Sequence, residues 1–76
     1  MVIIDAREIG LKELFIRLRE FMRSRCGQDI AVDVLVESYS DSMKVTAFAS
    51  LSGCQTSTEK KAEYYIVHVS GIACCV

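Results

Sequence analysis

From Ile9 onward the apolar residues recur at steps of three and four. Leu11, Leu14, Phe15, Leu18, Phe21 and Met22 form the repeat, and Lys12, Glu13, Arg17, Arg19, Glu20 and Arg23 fill most of the positions between. That period places one apolar stripe against a core and a charged face in solvent, which predicts an amphipathic helix. Glu13 and Arg17 stand four apart in the favourable order, and Arg23 and Arg25 lie where cations complement the helix dipole. Gly27 supplies a stop.

On either side the period is two. Val2, Ile3 and Ile4 are β-branched and end at Asp5, a short buried strand closing on a polar turn. Ile30, Val32, Val34 and Val36 alternate with Ala31, Asp33 and Leu35, a strand covered mainly on one side. Ser38, Tyr39, Ser40 and Asp41 offer N-cap candidates for a second helix, with Met43, Ala47, Phe48 and Leu51 on its core face and Gly53 as its stop. Val45 and Thr46 are poor helix formers and weaken that helix. Gln55 to Thr58 then reads as a strand, residues 59–63 as a charged connection, and Tyr64 to Val69 as a closing strand with Tyr65, Val67 and Val69 on one face. The order β-α-β-α-β-β, with two helices on one face of a four-stranded mixed sheet, is an α+β two-layer sandwich.

Length and composition narrow this picture. The 76 residues make a single domain, 51% hydrophobic and 25% charged, with no internal repeat and residues 70–76 as a cysteine-containing tail. Nine basic residues against ten acidic ones create no field that favours nucleic acid or anionic lipid. The apolar runs fall far short of the roughly 20 residues that cross a bilayer, and no export signal opens the chain, so a cytoplasmic location is expected. In a reducing cytosol Cys26, Cys54, Cys74 and Cys75 are expected to remain thiols rather than build a disulfide framework.

Asp5 closing a first strand, a helix a few residues later, and "SLSGCQTS" leading into a terminal hairpin together resemble the TusA/SirA/YedF-like family of small sulfur-carrier proteins. The resemblance covers nearly the whole chain. In that family the first strand ends in Leu-Asp, matched here by Ile4-Asp5, and a Gly-x-x-Cys-Pro-x-Pro motif places a reactive cysteine at the start of helix one. The motif is absent from this chain. Read without gaps from Asp5, the cysteine position falls on Leu11 and the prolines on Lys12 and Leu14; aligned on Gly10-Leu11, the cysteine position falls on Glu13. Asp41 and Ser52-Gly53-Cys54 echo the family's second-helix start and the turn before its third strand. What is lost is specific, because a helix N-terminus favours thiolate, the form that accepts and passes on sulfur.

The remaining thiols are therefore weighed in turn. Cys26, four after Met22, is expected to serve as a small apolar group on the helix-one stripe. Cys54 follows the Gly53 stop, where it is first a small residue in a tight connection and second a reactive thiol. Cys74 and Cys75 follow the last strand and would be the accessible pair, able to hold a persulfide, close a vicinal disulfide or offer soft ligands; against that stands plain packing over a sheet edge. No metal or cofactor is implied: there is no Cys-x-x-Cys pair, and the lone His68 lies on a strand face opposite Tyr65, Val67 and Val69. Asp33 is expected to be solvated, and the mixed basic face of helix one to be a solvated surface or, failing that, a dock for an acidic partner.

Two functions from different classes follow. The first is a diverged sulfur relay using Cys74, Cys75 or Cys54, with sulfur-donor and acceptor proteins as partners. The second is a non-catalytic binding or regulatory module on the same fold. A homodimer through paired sheet edges is a third option, since so small a domain gains from added burial.

Overall fold

The computed structural model describes residues 2–72 and has six elements: β1 (Val2–Asp5), α1 (Gly10–Ser24), β2 (Asp29–Val36), α2 (Tyr39–Leu51), β3 (Gln55–Lys60) and β4 (Tyr65–Ile72). The strands form one sheet in the order β1-β2-β4-β3. The pair β1–β2 is parallel, with α1 as its crossover, and β2–β4 and β3–β4 are antiparallel. Both helices lie on one face, as the alternation along the strands predicts.

The core is built from the inward residues of each period. Leu14, Leu18 and Met22 of α1 meet Ile30, Val32, Val34 and Val36 of β2, Val67 and Val69 of β4, and Val45 and Ala49 of α2. Each Leu or Val removed completely from water here contributes about 1.5–3 kcal/mol, which a chain this short needs. Phe15 and Phe48 stack with ring centroids 5.3 Å apart and join the helices above the sheet.

Helix α2 begins where the sequence places it. Ser38 is extended, and its side chain accepts from the Asp41 amide at 3.1 Å. Its orientation is different from the expectation. Ser42, Val45 and Ala49 face the sheet, whereas Met43, Ala47 and Leu51 face solvent and only Phe48 of the expected stripe is half-buried. The cause is that α2 carries apolar residues on all sides, so periodicity alone could not orient it. The small and β-branched set allows the helix close to the strands, and the buried Ser42 hydroxyl is satisfied by donating to the Tyr39 carbonyl at 2.6 Å.

The terminal hairpin is longer than its sequence suggests. β3 continues through Glu59 and Lys60, and the turn closes with the Lys61 amide donating to the Tyr64 carbonyl at 2.8 Å. β4 runs on to Ile72, with Ser70 paired to Ala31 and Gln55, and Gly71 to Ile30. Residues 70–72 are thus sheet rather than the start of a tail. Gly71 has φ 135°, and a Cβ there would lie 3.3 Å from the Cys54 backbone. Gly71→Ala is therefore expected to lower stability by about 1–2 kcal/mol, read as a lower midpoint in urea with an unchanged slope.

Candidate functional site

The loops that follow β1 and β2 and the β3–β4 turn meet at one end of the sheet. There Asp5 fixes Arg7: its carboxylate accepts from Arg7 Nε at 3.0 Å, from Nη2 at 2.8 Å and from the Arg7 amide at 3.0 Å. The guanidinium also lies 4.7 Å from the centroid of the Tyr64 ring, a cation–π contact that ties this loop to the hairpin turn. The Arg7 hydrogen bonds hold the Asp5 carboxyl down at about 2. A cleft of about 510 Å³ opens beside this pair, lined by Arg7, Glu8, Glu37 and Glu63.

Helix α1 begins two residues after Glu8, which lines this cleft. No side chain caps its N-terminus at Ile9, and its first turn carries Leu11, half-buried against the core, with Glu13 below it. Both registers that bring the family's cysteine onto this sequence thus end on residues without a thiol. A helix N-terminus in general favours a thiolate, but the residue in this first turn, Leu11, is a hydrocarbon.

The thiols are elsewhere. Cys26 is not part of the α1 stripe: the helix ends at Ser24, and Cys26 stands exposed in the turn, its amide donating to the Arg23 carbonyl at 3.3 Å. Nor is it a thiol, since Cys26 is disulfide-bonded, contrary to the expectation from compartment. Cys54 is buried at 7% exposure, directly before β3, with its amide donating to the Ala49 carbonyl at 2.9 Å. Its place is that of a small residue in a tight connection, covered by Gly71. Cys74 and Cys75 lie outside the described residues.

A second polar cluster occupies the face of the sheet away from the helices. Asp33 of β2 and His68 of β4 are cross-strand partners. His68 Nδ1 lies 2.7 Å from Asp33 Oδ1 and its Nε2 lies 3.1 Å from Glu59 Oε1, while Glu59 also pairs with Lys61. Asp33 is thus engaged rather than simply solvated. Protonated on both nitrogens, His68 donates to both carboxylates and bridges β2 to the edge strand β3. Asp33 first, then Glu59, raise the His68 pKa above its ordinary 6.5. Its contribution to stability is fully present below that value and is lost as pH rises through the raised one. Urea midpoints taken across this window should fall with rising pH, and His68→Gln should flatten that part of the profile.

Among the described residues no group of three or more His, Cys, Asp or Glu side chains could hold a metal ion, and no helix is long and apolar enough to cross a membrane.

No family model and no curated protein matches the chain. A solved structure does: that of the SirA-like protein from Desulfitobacterium hafniense superposes with a TM-score of 0.82 over 95% of this chain and 99% of that one, at 22% sequence identity. The chain has a SirA-like fold. The positions to which the sequence resemblance carries the missing cysteine, Leu11 and Glu13, lie in the first turn of α1 and do not line the cleft.

Sequence reasoning missed the Asp5–Arg7–Tyr64 anchor and the cluster around His68. The first had a local signal, an Asp two residues before an Arg at a strand end. The second had none without the β2–β4 register, because Asp33 and His68 are 35 residues apart.

Proposed function

We propose that the protein is a sulfur relay on a SirA-like fold, working from Cys74 and Cys75 in place of a thiol at the start of α1. The observation that supports this reading is the combination of the fold with two positions that supply no accessible thiol: Leu11 stands in the first turn of α1 and Cys54 is buried. The donor and acceptor are cytoplasmic proteins carrying a persulfide and a thiolate respectively.

The chemistry is conservative in electrons. A cysteine thiolate attacks the outer sulfur of the donor's persulfide, a new S–S bond forms, and the donor's own sulfur leaves as thiolate. The acceptor's thiolate then attacks the outer sulfur now on this chain and releases its cysteine unchanged. No external oxidant or reductant enters either step.

The test is to reduce the protein, incubate it with a cysteine desulfurase and cysteine, and weigh it intact under non-reducing conditions. The expected result is a mass increased by one sulfur atom. An unchanged mass beside a loaded control carrier would favour the alternative, a non-catalytic binding module in which the fold persists without its chemistry.

A further inference from the structure

The two helices share one layer and differ in what they show to solvent. Outside α1 stand Lys12, Glu13, Arg17, Arg19, Glu20 and Arg23, the expected charged face. α2 contains only two charged residues, Asp41 and Lys44. Its outward line is Tyr39, Met43, Ala47 and Leu51, each four residues after the last, so the four side chains form a single stripe along the helix. Tyr39 is 59% exposed, Met43 55% and Leu51 90%. Single exposed apolar residues are ordinary on a protein surface, but an aligned row on a helix whose other side already fills the core is not.

The stripe has a charged end. Tyr39 packs its ring against Tyr65, with centroids 5.9 Å apart, beside the cleft whose rim carries Glu8, Glu37 and Glu63. Arg7 is the one base among the residues lining that cleft, and its Nε and Nη2 are committed to Asp5. The rim therefore carries three carboxylates against one guanidinium that is already paired with Asp5, while the far end, at Leu51 and Gly53, has none. A second copy laid antiparallel along the stripe would bring those carboxylates to the carbonyl end of the opposite α2, where negative charge is disfavoured. A basic group is what the rim complements.

We propose that the α2 stripe and the acidic rim together form a docking surface for an amphipathic helical segment of another protein, with its apolar face along Tyr39, Met43, Ala47 and Leu51 and basic residues at the end that meets Glu37 and Glu63. The recognition is helix against helix, with charge setting direction. It uses no cysteine and stands apart from the sulfur-relay reading.

The probe is a pair of synthetic helical peptides of about four turns, the length of α2, that share leucines at every fourth position and differ only in a C-terminal cluster of lysines or of glutamates. Each is titrated by fluorescence anisotropy against the full chain carrying Cys74→Ser and Cys75→Ser, so that failure here and failure of the relay are separate results. The lysine peptide should bind at least about tenfold more tightly than the glutamate peptide. Glu37→Lys with Glu63→Lys should reverse the preference, and Met43→Glu, at an exposed site that leaves the circular dichroism unchanged, should abolish binding of both. Equal affinities, or no binding of either peptide, would overturn the proposal. So would a dimer in sedimentation velocity that Met43→Glu dissociates, because the stripe would then be covered by a second copy.

Discussion

Leu14→Ala is expected to cost about 2–5 kcal/mol, and Leu51→Ala to stay within about 0.5 kcal/mol of the parent, although the chemical change is identical. Leu14 is fully buried between α1 and the sheet, and its removal takes away both transfer free energy and the contacts of a filled site. Leu51 ends α2 with nine-tenths of its surface in water and has neither to lose. A chain of 76 residues has roughly 4–11 kcal/mol of stability in all. The first substitution therefore removes a large fraction of it, and the melting temperature should fall by roughly 10–30 °C. Urea unfolding followed by circular dichroism reads both variants. Similar losses at the two sites would mean that α2 is turned the other way, with Met43, Ala47 and Leu51 in the core.

Replacing Cys74 and Cys75 together by Ser is expected to abolish sulfur loading of the reduced protein while leaving its urea midpoint, taken in the presence of reductant, close to that of the reduced parent. Both residues lie beyond the last described turn of β4, past the pairing of Asp29 with Ile72. Cys54→Ser should do the reverse: it puts a hydroxyl into a buried site and costs stability, with loading retained by the folded fraction. The two variants thus separate chemistry from packing, and a loaded double variant would move the site to Cys54 or Cys26.

Legibility differed sharply between the two helices. α1, β2 and the inward face of β4 were readable because each has apolar residues on one side and charges on the other, so a single period fixes both element and orientation. α2 was readable as a helix from Ser38 and Gly53 but not in rotation, because Tyr39, Met43 and Leu51 compete with Val45 and Ala49 for the inner face. What the periodicity left ambiguous, the exposed stripe turns into a surface with its own use. Cys26 was misplaced for a different reason: extending the three-and-four repeat by one more step ignored that Ser24 and Arg25 already close the helix. The missing thiol in the first turn of α1 was legible in the sequence, but the cation that Asp5 holds against Tyr64 requires two loops to be brought together. The bridge from Asp33 through His68 to Glu59 depends entirely on strand register.

The central claim is that sulfur transfer on this fold has moved from the start of α1 to the two terminal cysteines. The measurement that tests it most directly is peptide mass spectrometry, without reductant, of protein loaded by a cysteine desulfurase. The account predicts the added sulfur on the peptide containing Cys74 and Cys75 and on no other. Added sulfur confined to the peptides of Cys26 or Cys54, or none at all while a control carrier is loaded, would contradict it.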